Sequence, residues 1–270
     1  MTEPIEKQIE KDLEKSGYIA ELHTGCALQK QGWHITYGET YADRDDKKSR
    51  EIDIVAYRVF NNKEANLQIV MNLFVEVKQS FKHPWTVFMT HDSFHDYGWT
   101  ILHAGSAYMK KGHVAFPNAM TTEPMSRPDM KVGSAFHEAF RDPDAPSTIY
   151  KALISACKAA FHGQASWGED DDTFQYEAGR KVVLEFYVPL VVVAGQLFEV
   201  QLIDNKVEIL PADWLPVKLN YSSPQYCKDG DILFHPYITS LKRIEKCLNA
   251  FDKWYDVLCS RFRDNVLRCR

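Results

Sequence analysis

Leu73-Phe74-Val75-Glu76-Val77-Lys78-Gln79-Ser80 is an apolar strand that carries a carboxylate and an ammonium two residues apart. Side chains on a strand alternate faces, so Glu76 and Lys78 leave one face while Val75 and Val77 leave the other. An earlier stretch, Arg50-Glu51-Ile52-Asp53-Ile54-Val55-Ala56-Tyr57-Arg58, has the same character, and there Asp53 shares a face with Glu51, Val55 and Tyr57. Between the two lies Asn61-Asn62-Lys63-Glu64-Ala65-Asn66, a polar turn segment. Asp53 and Glu76 are mirror positions about a point inside that turn. An unbulged antiparallel hairpin therefore sets them opposite each other, with Cβ atoms about 4.5–5.5 Å apart. Like charges so placed repel. A divalent cation between them removes that cost, because hard cations take oxygen ligands.

An Asp followed by Glu-x-Lys on the next strand resembles the pattern of the PD-(D/E)xK nuclease superfamily. Four further features agree. A helical segment bearing Glu21 precedes the hairpin, and a strand-like segment at residues 33–41 follows that helix. The run Glu76-Val77-Lys78-Gln79-Ser80-Phe81-Lys82-His83-Pro84-Trp85 is similar to the E-x-K-x-S-x-x-x-P-W continuation of bacterial restriction-endonuclease-like proteins. Later, a helix at residues 147–161 precedes a very apolar strand at residues 181–194. The resemblance spans roughly residues 10–205. It departs at Ile52, which stands where the family's named proline would be, a position that varies within the superfamily.

The resemblance implies an α/β fold, a restriction-endonuclease-like mixed central sheet flanked by helices. The pattern of segments adds an insertion after the core hairpin and a C-terminal helix. A single domain over residues 1–270 is expected, with its core at about 10–84 and 147–205, the insertion at 85–146 and a C-terminal helical extension at 236–268. The implied activity is divalent-metal-dependent hydrolysis of phosphodiester bonds, with the chain acting as a DNA endonuclease of a bacterial restriction or anti-phage defence system. Asp53 and Glu76 would ligate Mg²⁺ or Mn²⁺ together with the backbone carbonyl of Val77. Lys78 would sit beside the attacking water, and Glu21 would hold a water at the metal or a second ion. Gln79, Lys82 and Lys151 are weaker candidates for contacting nucleic acid, and Gln79 alternates to the opposite strand face. The expected partner is nucleic acid, DNA ahead of RNA, with a homodimer or a defence-system protein as further partners. The alternative is a non-catalytic nuclease-fold subunit that binds nucleic acid or assembles with such a protein. For Glu76 and Lys78 the plain alternative is an ion pair at a strand end, worth about 0–1 kcal/mol if exposed.

Composition sets the bounds. With 45% hydrophobic and 26% charged residues, the chain is an ordinary globular sequence with length enough for one large core. No apolar run reaches the roughly 18 residues that a membrane helix needs. The charged start, Met1-Thr2-Glu3-Pro4-Ile5-Glu6-Lys7, reads as neither a secretory signal nor a transit peptide. The six cysteines form no C-x-x-C pair, which argues against structural zinc and for reduced thiols in the cytoplasm. A net charge of −5 argues against tight unaided binding to nucleic acid and for a partner protein. No Gly-rich phosphate loop, G-x-S-x-G or defensible Cys-His pair suggests another enzyme class.

Along the chain, residues 5–31 read as a helix broken at Ser16-Gly17, with Ile19, Leu22 and Cys26 on one stripe of the second piece. Glu21 sits at the edge of that stripe, as a solvated acid or as the helix carboxylate that the resemblance implies. Residues 43–49 form a charged turn, a solvated hairpin end or a loop near phosphates. In the irregular stretch 85–146, His91 and His95 would share a helix face, yet with no third ligand evident they read as polar surface residues. Ser147 is a candidate cap for the helix at 147–161, on which Lys151 and Lys158 belong to a solvated face or to a phosphate contact. Gly168-Glu169-Asp170-Asp171-Asp172 reads as an exposed acidic turn. Ala194-Gly195 is expected to turn the apolar strand into a second one at 196–202. From Ile238 to Val266 a helix is expected, its stripe of Leu241, Ile244, Cys247, Leu248, Phe251 and Trp254 packed on the core or on a partner.

Overall fold

The structure, a computed structural model, describes residues 3–64, 67–91, 102–105, 131–142, 144–165, 182–227 and 231–268. Two helices come first, α1 (Ile5–Ser16) and α2 (Tyr18–Lys30). They break where expected, at Gly17, whose φ of 93° is left-handed backbone that an L side chain rarely adopts. Strands β1 (His34–Asp43), β2 (Lys48–Asn62) and β3 (Leu67–His91) follow as an antiparallel meander. Then come β4 (Leu102–Gly105), β5 (Lys131–Glu138) and α3 (Thr148–Ala165). The long strand β6 (Val182–Ile203) runs parallel to β3. Short strands complete the chain: β7 (Lys206–Pro211), β8 (Trp214–Pro216), β9 (Leu219–Ser222), β10 (Asp231–Phe234) and β11 (Tyr237–Ser240). A 3₁₀ turn leads into α4 (Ile244–Arg268).

The protein is thus α/β with a mixed central sheet in the order β1-β2-β3-β6-β11-β8 and helices on both faces. Alternation along β6 separates two cores. Val188, Leu190, Val192 and Ala194 pack with α2 and α4, whereas Val191 and Val193 pack with α3. α3 lies close to the sheet because its inner face is small, with Ala152, Ala156, Ala159 and Ala160 all fully buried. Ser147 caps it, its hydroxyl oxygen accepting from the Tyr150 N–H. No helix among the described residues is long and apolar enough to cross a membrane.

Several expectations are corrected. β6 passes straight through Ala194-Gly195 without a turn. The glycine serves close approach instead, since a Cβ there would lie 2.4 Å from the Ser80 carbonyl oxygen. The irregularity falls on β3, where residues 81–84 bulge out between the pairs Ser80–Gly195 and Trp85–Leu197. Sheet strands fall within the stretch assigned to an insertion: β3 continues through His91 with Trp85 fully buried, and β5 pairs with it. His91 is therefore on a strand, while His95 and the acidic segment 168–172 lie outside the described residues. Ile238 belongs to β11 and the C-terminal helix starts only at Ile244, after which Cys247, Leu248, Phe251 and Trp254 are buried in the core as expected. On α2 the buried stripe is Ala20, Thr24, Gly25 and Leu28, so Leu22 and Cys26 face outward. Small residues win that face because β1 comes so near that a Cβ on Gly25 would overlap the Tyr37 hydroxyl.

Candidate active site

β2 and β3 pair in the register that mirrors Asp53 onto Glu76, through Ile54–Val75, and the ladder stops there. On the other edge of β2, Tyr37–Ile54 and Glu39–Ile52 are partners while Gly38 and Asp53 between them are not. The strands part at this point, and a side chain fills the gap. The Val77 N–H donates to Asp53 Oδ2 at 2.6 Å, in place of a backbone carbonyl of β2. Asp53 is thereby held by a charge-assisted bond, a short and strong type.

Opposite it, Glu76 is buried, 7% exposed. Lys78 Nζ lies 2.6 Å from Glu76 Oε1 and 3.7 Å from Asp53 Oδ2, and donates to the Val77 carbonyl at 3.1 Å. One ammonium is surrounded by three oxygens from two strands. The other oxygen of Glu76, Oε2, accepts from the Ser155 hydroxyl at 2.9 Å. Ser155 Oγ is 3.3 Å from the Tyr41 hydroxyl. A hydroxyl has one proton to give, so Tyr41 donates to Ser155, and Ser155 donates to Glu76.

Burial raises the Glu76 pKa above the usual carboxylate value, and Asp53 nearby raises it further against the pull of Lys78. Burial pulls the Lys78 pKa down, but Glu76 and Asp53 outweigh it and the ammonium is held charged. Glu21 is raised too, by burial first and then by Asp53. α2 therefore brings Glu21 into the field of the same cluster.

The structure brings together Asp53, Glu76, Lys78 and the Val77 carbonyl, with Glu21 on α2 within their electrostatic reach. It does not bring in the weaker candidates. Gln79 lines a groove beside α2, Lys82 is exposed in the β3 bulge, and Lys151 is exposed on α3. Among the described residues no group of three or more His, Cys, Asp or Glu side chains has metal-ligating geometry, so a third protein ligand here would be the main-chain carbonyl. Ser155 and Tyr41 escaped the sequence reading, because nothing local marks a helix serine and a strand tyrosine as neighbours of a distant glutamate.

Lys158 is corrected outright. It faces neither solvent nor phosphate but is 7% exposed, with Nζ at 2.9 and 3.0 Å from the Asp43 oxygens and 2.7 Å from Asp45 Oδ2. The hydroxyls of Tyr221 and Ser223 donate to Asp45. Asp43 and Asp45, expected on a solvated turn, thus anchor α3 and the C-terminal segment to it. Burial opposes ionisation of Asp45, but Lys158, Ser223 and Tyr221 outweigh it and bring its pKa to about 2.

No family model, curated protein or solved structure matches this chain, so what the site can do rests on its own geometry.

Proposed function

We propose that the chain is a metal-dependent nuclease of the PD-(D/E)xK type, a DNA endonuclease acting in bacterial restriction or anti-phage defence. One observation carries this reading: Asp53 Oδ2, Glu76 Oε1 and the Val77 carbonyl converge on a single cation, the Lys78 ammonium. Hard oxygen donors of mixed carboxylate and carbonyl type fit Mg²⁺ or Mn²⁺. The element order, a helix with Glu21, three antiparallel strands, a helix and a long apolar strand, supports a restriction-endonuclease-like core.

Phosphodiester hydrolysis needs a nucleophilic water, neutralisation of charge at phosphorus and help for the leaving oxygen. A divalent ion held by Asp53, Glu76 and the Val77 carbonyl would supply Lewis acidity at the phosphoryl oxygen. Lys78 does the rest of the electrostatic work. Its ammonium would stabilise developing hydroxide and negative charge at phosphorus, roughly 2.7–4 kcal/mol for one well-placed group. Glu21, with a raised pKa, orients a water through its carboxyl. Ser155 fixes the rotamer of Glu76 by holding Oε2, which leaves Oε1 aimed at the cation position.

The test is direct. Purified protein is expected to nick or degrade DNA with Mg²⁺ or Mn²⁺, and Lys78→Ala or Asp53→Asn to abolish it. Cleavage that survives both substitutions removes the site assignment. The acidic net charge of −5 favours one other reading, a non-catalytic subunit that works through a partner protein. That reading gains if the wild-type chain cuts nothing with either ion, alone or with the products of its neighbouring genes.

A further inference from the structure

On the α2 face of the sheet, the face opposite the one from which Glu76 and Lys78 project, lies a groove of about 910 Å³. Its floor comes from Ile19 and Ala20 of α2 and from Ala194-Gly195 of β6, and Gln79, the residue after Lys78, opens onto it. Phe81 stands at its edge in the β3 bulge, 71% exposed. An aromatic ring so exposed has not been recruited by the core. The bulge holds it there, with the Ser80 hydroxyl donating to the His83 carbonyl at 2.7 Å. The charges lining the groove are Lys15 and Lys242, the titratable His23, and a single acid, Glu14. Arg243 and Lys246 beside it are taken up by Asp213, whereas Lys15 and Lys242 have no ion pair among the described residues.

We propose that this groove binds a single-stranded segment of nucleic acid, with a base stacked on Phe81 and its phosphates near Lys15 and Lys242. The proposal adds a binding surface on the reverse of the sheet and rests on the nuclease reading for the identity of the ligand. An apolar floor with an exposed ring fits the flat faces of bases, which a duplex keeps hidden in its own stack. Stacking on aromatic side chains is how proteins hold single strands without reading sequence.

The experiment uses the full chain carrying Asp53→Asn, so that bound strands are not cut, and labelled oligonucleotides read by fluorescence anisotropy. A single-stranded oligomer is expected to bind at least tenfold tighter than the duplex of the same sequence. Phe81→Ala is expected to weaken single-strand binding by about tenfold, Phe81→Trp to restore it, and Lys15→Ala with Lys242→Ala to weaken it further. Because Phe81 is exposed, its removal leaves the melting temperature in place. Equal affinity for duplex and single strand, or unchanged affinity in Phe81→Ala, overturns the proposal. The two readings fail separately. If the wild type cuts DNA while Phe81→Ala binds and cuts as well as it does, the groove assignment falls and the nuclease stands. If the wild type cuts nothing but Phe81→Ala loses the strand, the groove stands and the nuclease falls.

Discussion

Asp53 has two jobs in one carboxylate, and its substitutions separate them. Its Oδ2 faces the Lys78 ammonium and also accepts the Val77 N–H. Alanine removes both, leaving a backbone donor without a partner at a cost of about 1–3 kcal/mol. Asparagine keeps an oxygen that accepts the N–H and removes the charge. We therefore expect Asp53→Asn to abolish cleavage with a melting temperature near wild type, and Asp53→Ala to abolish it with a lower one. Scanning calorimetry beside a plasmid-nicking assay checks both. Ser155→Ala probes the support of Glu76. A hydrogen bond to a charged group is worth about 1.5–3 kcal/mol, so freeing Oε2 is expected to lower kcat by roughly tenfold or more and to leave Lys78 paired. Full activity in Ser155→Ala would mean that Glu76 needs no such support. Tyr41→Phe, one bond further out, is expected to have the smaller effect.

At the scale of elements, the β3–β6 pairing decides where Lys78 stands. These strands run parallel through Ser80–Gly195, and there the backbones touch closely enough that only glycine fits. Gly195→Ala forces a Cβ against a backbone carbonyl, which cannot rotate away. We expect it to lower stability by about 1–3 kcal/mol, the range for overpacking, and to reduce cleavage, since the strain falls two residues from Lys78. Urea unfolding gives the first and the nicking assay the second. The same logic explains why Ala194-Gly195 misleads as a turn signal. Glycine marks close approach as often as reversal, and only the position of the neighbouring strand tells them apart.

At the scale of the molecule, the Lys158 cluster joins parts of the chain that local forces cannot. It links α3 to the β1–β2 turn and that turn to residues 221–226. Lys158→Met leaves the buried Asp43 with only the more distant Arg50 and takes the ammonium from the half-buried Asp45, and breaking a buried pair costs about 3–5 kcal/mol. A large drop in urea midpoint is the expected outcome, and a neutral one would mean that the cluster is dispensable. Acid acts on the same contacts. Asp45 titrates at about 2 in the fold, below its usual value of 3.8, so it binds fewer protons folded than unfolded. Its contribution, about 2 kcal/mol, is present above pH 4 and is lost as pH falls from about 4 to 2. Asp45→Asn is expected to be less stable than wild type at pH 7 and to lack this step. Equilibrium unfolding of both proteins across that range measures it.

The hairpin and its register, the break at Gly17, the cap at Ser147 and the buried stripe of α4 were legible in the residues alone. Each follows from alternation, turn chemistry or helical period, which act over a few residues. The sequence also placed Asp53, Glu76 and Lys78 on one strand pair, because a mirrored register about a polar turn is a local property. What surrounds them came from long-range packing. Ser155 reaches Glu76 across 79 residues of sequence, and Lys158 reaches Asp43 across 115. The face α2 buries, the uninterrupted run of β6 and the bulge that exposes Phe81 were settled by how closely neighbouring backbones could approach. Such distances depend on side-chain volumes in segments far apart along the chain, and no local pattern encodes them.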